Sequence, residues 1–246
     1  MKNIYLSNYQ LTSFMDDLKE LNITLNEIQL CQFMRYYELL LEWNEVMNLT
    51  AITDFDEVLK KHFIDSLTLV KVCSDFSSKS LIDVGTGAGF PGIPLKIAFP
   101  ELKVTLLDSL NKRVNFLNAV IEELEFENIE ALHGRAEDFS KKEMLREKFD
   151  FCVSRAVSNL STLSEYCLPY VKIGGSFISY KSEKSAEEID EAKKAISILG
   201  GEIESQIEFM IPDSDIYRNL IVISKNKETP GKYPRKAGIP AKNPIM

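Results

Sequence analysis

A glycine-rich turn directly after a short apolar strand constrains this chain more than any other segment. The strand, Leu81–Val84, is apolar apart from Asp83, and the letters Gly-Thr-Gly-Ala-Gly-Phe-Pro-Gly follow it at residues 85–92. Glycines at every second position let the backbone turn sharply and touch a ligand. A helix is expected from about Pro91, with free N–H groups that face the same place. The segment therefore predicts a nucleotide-like ligand at the end of a strand.

Strand and helix patterns alternate from residue 80 onward, whereas the first 75 residues show only helical spacing. The last two strand patterns are separated by a break too short for a crossover helix, so that pair should be antiparallel. We therefore expect an α/β fold with a Rossmann-like, mostly parallel sheet of the seven-stranded type, an antiparallel last strand and an N-terminal helical extension. The expected strands are Leu81–Val84, Val104–Leu107, Ile129–Leu132, Phe151–Val153, Ser176–Tyr180, Ile203–Phe209 and Leu220–Ile223, and the expected helices lie near 91–99, 111–124, 136–147, 158–170 and 183–199.

The chemistry of the turn favours S-adenosylmethionine over a dinucleotide. Gly87, Gly89 and Gly92 match the dinucleotide pattern GxGxxG, which alone is weak evidence. Pro91 lacks the backbone N–H that a diphosphate would need, and a carboxylate at Asp83 would repel a diphosphate. S-adenosylmethionine carries an ammonium, a sulfonium and a ribose diol but no phosphate, so an acid beside a glycine turn suits it.

A second acid follows the next strand. Asp108 comes directly after Val104–Leu107, where a carboxylate can accept hydrogen bonds from both ribose hydroxyls of a nucleotide. The alternative is that Asp108 caps the helix that starts near Leu110. After the third strand, Ala136 and Glu137 are expected to read the adenine ring, although an acid there also favours a helix N-terminus.

Charge is distributed unevenly along the chain. The net charge is −8, but residues 225–246 hold six lysines and arginines and one glutamate, so this end carries +5 and the rest carries −13. A basic end on an acidic body indicates one edge that faces a polyanion. The alternatives are a solvated tail or a tail that packs on the sheet.

Other features exclude several classes of protein. No apolar run is long enough to span a membrane, and the first residues do not resemble a signal peptide. The four cysteines form no CxxC pair and no metal-like spacing with histidine, so we expect reduced core thiols and no metal. These observations predict a cytoplasmic protein without a membrane partner, and the lack of a long exposed apolar stripe predicts a monomer.

A series of short motifs extends from about residue 43 to the C-terminus. The motifs are Trp43-Asn44, Asn48-Leu49-Thr50, His62–Leu67, Asp83–Pro94, Leu107-Asp108-Ser109, Lys112-Arg113, Phe116-Leu117, Arg135-Ala136-Glu137, Ser154-Arg155-Ala156, Lys181 and Tyr233-Pro234-Arg235-Lys236. In this order they resemble the bacterial family of small-subunit ribosomal RNA guanine-N7 methyltransferases, also called glucose-inhibited division protein B. The glycine turn alone would indicate only a methyltransferase, and the other motifs are much more specific.

The resemblance implies a class I methyltransferase fold and transfer of a methyl group from S-adenosylmethionine to N7 of a guanine in the 530 loop region of 16S ribosomal RNA, leaving S-adenosylhomocysteine. It places the family's cofactor contacts on Gly85, Phe90, Ala136, Glu137 and Arg155. Lys61 stands where many relatives are expected to carry arginine, which keeps the charge but loses bidentate contact. The expected divisions are a helical extension at 1–75, a methyltransferase domain at 76–225 and a basic tail at 226–246.

Guanine N7 has an exposed lone pair and no proton, so its methylation needs alignment and exclusion of water rather than a general base. Arg155, after the fourth strand, is the candidate catalytic residue, expected to orient the guanine O6 or a phosphate; the alternative is a structural salt bridge to Glu137 or Asp83. The candidate cofactor-binding residues are Asp83, Gly85, Gly87, Gly89, Phe90, Asp108, Ala136, Glu137 and Arg155, and the candidate RNA contacts are Lys61, His62, Lys181, Arg218, Lys232, Tyr233, Arg235 and Lys236.

Three alternatives remain open at the level of sequence. A methyltransferase of this fold can act on another RNA, a protein or a small molecule, because fold does not determine substrate. An NAD-dependent oxidoreductase is disfavoured by Pro91 and by the lack of a convincing Tyr-x-x-x-Lys proton relay. A noncatalytic ribosome-assembly factor that retains the cofactor turn is the third.

Overall fold

Seven strands form one sheet in the order β3-β2-β1-β4-β5-β7-β6 in the computed structural model, which describes residues 8–141, 143–155, 158–182 and 186–246. Strand β7 is antiparallel to both neighbours, and the pairs among β1 to β5 are parallel. The expected fold class is therefore confirmed. The strands are β1 (Ser80–Val84), β2 (Lys103–Asp108), β3 (Ile129–His133), β4 (Phe149–Arg155), β5 (Val171–Lys181), β6 (Gly201–Met210) and β7 (Tyr217–Lys225).

Helices cover both faces of the sheet, as the alternation of patterns predicts. A π-helical turn, Leu59–Ile64, lies between α3 and α4, and 3₁₀ turns follow at Thr68–Lys71 and Leu168–Tyr170. The helices are α1 (Asn8–Glu20), α2 (Glu27–Met47), α3 (Phe55–Val58), α4 (Asp65–Leu67), α5 (Gly92–Ala98), α6 (Asn111–Glu123), α7 (Ala136–Phe139), α8 (Leu160–Cys167), α9 (Ala186–Ile198) and α10 (Ile239–Lys242).

The expectation of a helix over 136–147 is wrong beyond its first turn, because α7 ends at Phe139. The side chain of Arg146 donates instead to the carbonyls of Thr229 and Tyr233, at 2.7 and 3.0 Å. The next residue, Glu147, has a positive φ of 53°, which a helix does not accommodate. Parts of the expected elements, namely residues 1–7, 142 and 183–185, lie outside the described residues.

The N-terminal helices share one hydrophobic core with the sheet. Phe33 and Phe63 are fully buried, and Tyr36 stacks on Phe63 with ring centroids 5.5 Å apart. The hydroxyl of Tyr36 donates to the carbonyl of Ala88 in the glycine turn, at 2.5 Å. The helical extension therefore packs directly on the turn that the sequence singles out.

The C-terminal tail packs against the body through specific bonds. The Thr229 amide donates to Glu147 Oε1 at 2.7 Å, and the hydroxyl of Thr162 on α8 donates to the carbonyl of Pro240 at 3.2 Å. Because these partners lie on α8 and in the segment after α7, the expectation of a solvated end is wrong. The packing alternative is supported instead, since the tail lies against α8 and against the hydrophobic cluster that α8 forms with the sheet.

Two further expectations concern the burial of the cysteines and the lack of a membrane-spanning segment. All four cysteines are free; Cys152 and Cys167 are buried, but Cys31 is exposed, which corrects the expectation of core thiols throughout. No helix within the described ranges is long and apolar enough to cross a membrane.

Candidate active site

A cleft lies where the strand order reverses, at the carboxyl ends of β1, β2 and β4. Such a point is where open α/β sheets bind ligands, because the connections leave in opposite directions and open a crevice. The cleft has a volume of about 420 Å³. It is lined by Leu49, Thr50, His62, Gly85, Thr86, Gly87, Ala88, Phe90, Asp108, Ser109, Arg113 and Arg155.

The glycine turn forms the floor of this cleft. Gly85, Gly87 and Gly89 have φ values of 73°, 63° and 100°, which residues with a side chain rarely adopt. A Cβ at Gly89 would lie 2.9 Å from the hydroxyl oxygen of Tyr36, and one at Gly92 would lie 2.3 Å from a methyl carbon of Leu106. The spacing of glycines therefore reflects both backbone conformation and close packing.

Asp83 stabilises the glycine turn through hydrogen bonds. Its Oδ2 accepts hydrogen bonds from the Thr86 hydroxyl at 2.7 Å and from the Gly92 amide at 2.9 Å. Its Oδ1 is buried and has no hydrogen-bond partner among the described residues. Burial raises the pKa of this carboxyl to about 6, against the hydrogen bonds, which lower it. Asp83 therefore braces the turn that lines the cleft and keeps one buried oxygen without a donor among the described residues.

The start of α5 does not offer the free N–H groups that the sequence leads us to expect. The Gly92 amide donates to Asp83, and the Ile93 amide donates to the Gly89 carbonyl at 2.7 Å. Pro91 and Pro94 have no N–H to offer. The helix terminus is therefore already satisfied and is not a diphosphate site.

Asp108 ends β2 at the wall of the cleft. Its Oδ2 accepts a hydrogen bond from the Gly87 amide at 3.0 Å, and its Oδ1 accepts one from the Leu110 amide at 2.9 Å. Arg113 pairs with it at 3.3 Å. The helix cap itself is Leu110, without a side-chain bond, so Asp108 stabilises the turn before α6 rather than capping the helix.

A smaller cavity of about 150 Å³ continues from the cleft past Asp108 and is lined by Ala136, Glu137 and Tyr166, among others. The two cavities share Gly85, Asp108 and Ser109. Glu137 is buried, and its Oε1 accepts a hydrogen bond from the Gly238 amide of the tail at 2.8 Å. The turn at Ala136 and Glu137 is therefore held by the C-terminal segment.

Arg155 lines the cleft and is also part of a salt bridge; its expected contact with the guanine or a phosphate stays a prediction. Its partner is Asp65, at 3.0 Å, rather than Glu137 or Asp83. The guanidinium carbon lies 5.0 Å from the centroid of the Phe90 ring. Ala156, which belongs to the same motif, lies outside the described residues.

His62 forms another wall of the cleft. Its ring stacks on Phe90 at 4.4 Å, and its Nε2 lies 2.9 Å from the Thr50 hydroxyl. Burial, and then the neighbouring Arg155, lower the pKa of His62 to about 4. The ring is therefore neutral at physiological pH and offers a flat surface rather than a charge.

The other candidate RNA contacts differ in how strongly they are engaged. Lys61 pairs with Glu57 at 2.6 Å, Lys181 with Glu188 at 2.6 Å and Arg218 with Asp65 at 2.8 Å. None of these three is among the residues that line the cleft.

In the tail, Arg235 makes a bidentate pair with the buried Glu165 of α8, with Nη2–Oε2 at 2.6 Å. Lys232 and Lys236 are exposed, and the Lys232 ammonium lies 5.3 Å from the Tyr233 ring centroid. Tyr233 is half-buried against α8 and its surroundings.

Sequence reasoning missed Thr50, Arg113, Tyr36 and Asp65 as parts of this site. Thr50, Arg113 and Asp65 stand in motifs that carry the family resemblance, which was the available signal. Tyr36 occupies an ordinary apolar position of α2, and nothing in the helical spacing distinguishes a tyrosine that will bond the glycine turn.

The residues present fit S-adenosylmethionine. The unpartnered Oδ1 of Asp83 suits an ammonium group, and the N-terminus of α5 has no donor left for a phosphate. The glycine turn permits close approach of a ligand, and two adjoining cavities are lined by Arg155 at one end and Ala136 at the other. No group of three or more His, Cys, Asp or Glu in the part of the chain that the structure describes could hold a metal ion.

Relatives from bacteria match nearly the whole chain. "Ribosomal RNA small subunit methyltransferase G" of Lachnoclostridium phytofermentans is 56% identical over 235 residues, which cover 96% of this chain and 97% of the relative. The protein of the same name from Acetivibrio thermocellus is 55% identical and covers 91% of each chain.

Solved structures support the fold alone. A SAM-dependent methyltransferase from Aquifex aeolicus superposes with a TM-score of 0.52 at 18% identity, covering 72% of this chain and 96% of that one.

The family model described as rRNA small subunit methyltransferase G matches residues 29–217. With that match and relatives above 50% identity, this chain belongs to the rRNA small subunit methyltransferase G family.

Proposed function

We propose that this chain transfers the methyl group of S-adenosylmethionine to N7 of a guanine in the 530 loop region of 16S ribosomal RNA. The observation that carries the proposal is the cleft at the ends of β1, β2 and β4, in which a glycine turn lies between two carboxylates and beside Arg155. In a member of this family, the glycine turn and the two carboxylates would bind the methyl donor, and Arg155 would orient the guanine. An activity on another substrate would leave the family match over residues 29–217 unexplained.

The cofactor supplies an electrophilic methyl group on a sulfonium. Asp83 holds the turn, and its Oδ1 would accept from the ammonium of the cofactor, while Asp108 would accept from the ribose hydroxyls. Ala136 and Glu137 border the smaller cavity, where we place the adenine. The proposed cofactor-binding residues are Asp83, Gly85, Gly87, Gly89, Phe90, Asp108, Ala136, Glu137 and Arg155.

The chemistry needs no proton transfer. Of the titratable side chains that line the cleft, His62 has a pKa of about 4 and is a weak base, and Asp108 is the residue that we assign to the ribose hydroxyls. Neither is assigned a role in proton transfer. The protein's contribution is to hold N7 in line with the methyl–sulfur bond and to exclude water, which suits a nitrogen that already has a lone pair.

The RNA side of the proposal separates into two kinds of residue. The exposure of Lys232 and Lys236 supports their contact with phosphates, and Tyr233, which lies beside Lys232, would offer a stacking surface. His62 offers a neutral ring at the cleft. Lys61, Lys181, Arg218 and Arg235 would have to share or exchange their acidic partners to contact RNA.

We also propose that the enzyme acts in the cytoplasm, since its substrate is ribosomal. We further propose that it acts as a monomer and without a metal. The divisions 1–75, 76–225 and 226–246 stay a prediction. The shared core between the helical extension and the sheet supports treating the first two as one folding unit.

The direct test is methyl transfer from labelled S-adenosylmethionine to small subunits from cells that lack this enzyme, followed by mapping of the modified nucleotide. We expect a single N7-methylguanine in the 530 loop region, and a loss of at least about tenfold for Arg155→Ala at unchanged secondary structure. Label on another RNA position, on protein or on no component of the subunit would refute the proposal.

A further inference from the structure

A single buried carboxylate joins two arginines at the edge of the cleft. Asp65 is the first residue of α4, and its side chain is only 3% exposed. Its Oδ2 accepts from Arg155 Nη1 at 3.0 Å, and its Oδ1 accepts from Arg218 Nε at 2.8 Å. Arg155 ends β4 and Arg218 lies near the start of β7, so one carboxylate from the helical extension ties together residues from two strands.

Arg155 is restrained on several sides by this arrangement. Its Nη1 also donates to the Lys61 carbonyl at 3.2 Å, and its Nη2 lies 3.3 Å from His62 Nδ1. Its guanidinium lies over the ring of Phe90. A guanidinium has five donors in a rigid fork, so a fork fixed by Asp65 has its remaining donors aimed before a ligand arrives.

The charge of the cluster favours an anionic or electron-rich ligand. Two arginines share one carboxylate, and His62 beside them is neutral, so one positive charge is left over. Arg155 is the member of the pair that lines the cleft. The excess charge is therefore presented to the cleft.

Resting on the proposed function, we propose that Asp65 is a positioning residue that acts through Arg155. It fixes the guanidinium against Phe90, so that the cofactor's carboxylate or the guanine O6 meets a prearranged donor. Arg218 supports the same carboxylate from the other side. Preorganisation of this kind lowers the entropic cost of binding and of reaching the reactive geometry.

A merely structural ion pair would behave differently, and the chain offers one for comparison. Asp17 on α1 is also buried, and its Oδ2 accepts from Lys60 Nζ at 2.5 Å. Neither residue lines the cleft. Asp17→Asn is therefore the matched control for the loss of a buried carboxylate charge.

The test is a double-variant cycle with Asp65→Asn, Arg155→Ala and the combination. Three quantities are measured for each: the melting temperature, the Kd for S-adenosylhomocysteine by titration calorimetry, and kcat and KM for methyl transfer. We expect Asp65→Asn and Asp17→Asn to lower the melting temperature similarly. Only Asp65→Asn should weaken S-adenosylhomocysteine binding or kcat/KM by about tenfold, and it should add less than about twofold in the Arg155→Ala background.

Multiplicative effects of Asp65→Asn and Arg155→Ala would overturn the proposal, as would an equal loss of activity in Asp17→Asn. If Asp65→Asn does not fold, Asp65→Glu, which keeps the charge but displaces the carboxylate, replaces it in the same cycle with the same criterion. Absence of methyl transfer by the wild-type protein would instead refute the proposed function, whereas the calorimetric cycle would still test the role of Asp65.

Discussion

At the scale of single residues, the site depends on three buried carboxylates that have different hydrogen-bond partners. Asp83 braces the glycine turn and keeps one unpartnered oxygen, Asp108 braces the same turn from the next strand, and Asp65 holds Arg155. Each is 3% exposed or less. A buried charge with incomplete partners is unfavourable for folding, so the placement of Asp83 is more readily explained by binding than by stability.

Asp83→Asn should separate stability from binding. The pKa of Asp83 in the folded protein, about 6, lies above its ordinary value of 3.8, so the folded state binds this proton more tightly than the unfolded state. The wild type therefore loses stability as pH rises from about 4 to 6. Relative to their difference at pH 4, the variant should gain about 2–3 kcal/mol over the wild type by pH 7.

Urea unfolding between pH 4 and 7.5 measures this gain, with Asp16→Asn as an exposed control. S-adenosylmethionine should bind Asp83→Asn at least about tenfold more weakly, because the acceptor for the ammonium has lost its charge. Unchanged affinity together with an unchanged pH dependence would contradict the assigned role of Asp83.

At the scale of elements, the glycine turn is held between β1 and α2. The Tyr36 hydroxyl and the Ile93 side chain close over Gly89, while Asp83 and Asp108 accept amides of the same turn. Strand ends and the helical extension therefore determine the shape of one loop together.

Gly89→Ala tests this packing. An alanine would be strained at a φ of 100°, and its Cβ would lie 2.5 Å from Ile93 Cδ1 and 2.9 Å from the Tyr36 oxygen. We expect a loss of about 2–4 kcal/mol in the free energy of unfolding and loss of cofactor binding. Gly231→Ala, where nothing lies within 4 Å, is the control. A Gly89→Ala protein of normal stability and affinity would show that the turn is not constrained in this way.

The tail contains two functions that mutation can separate. Arg235→Ala leaves the buried Glu165 without its bidentate partner and should destabilise the protein by about 3 kcal/mol.

Replacing the exposed Lys232 and Lys236 by alanine should leave stability unchanged but weaken RNA binding and reduce its salt dependence by about two counterions. Salt-dependent binding measurements decide this, and unchanged RNA affinity would remove the two lysines from the interface.

At the scale of the whole molecule, local patterns predicted the sheet and the cofactor turn. Strands, turns and the alternation of strands with helices depend on residues that are close together in the sequence. The antiparallel end of the sheet followed from the short break before β7. Contacts between distant parts could not be predicted in this way. Asp65 meets Arg155 ninety residues later, and Arg235 meets Glu165 seventy residues earlier. The failure over 136–147 has the same origin, since Arg146 binds carbonyls of the tail.

Methylation without proton transfer is the central claim about this molecule, and the pH dependence of single-turnover methyl transfer tests it most directly. The pKa of His62 is about 4 and that of Asp83 about 6, so above pH 7 both side chains keep one protonation state. We predict a rate constant that changes by less than about twofold between pH 7 and 8.5. A rate that rises about tenfold per pH unit in that range would reveal a general base and contradict the claim.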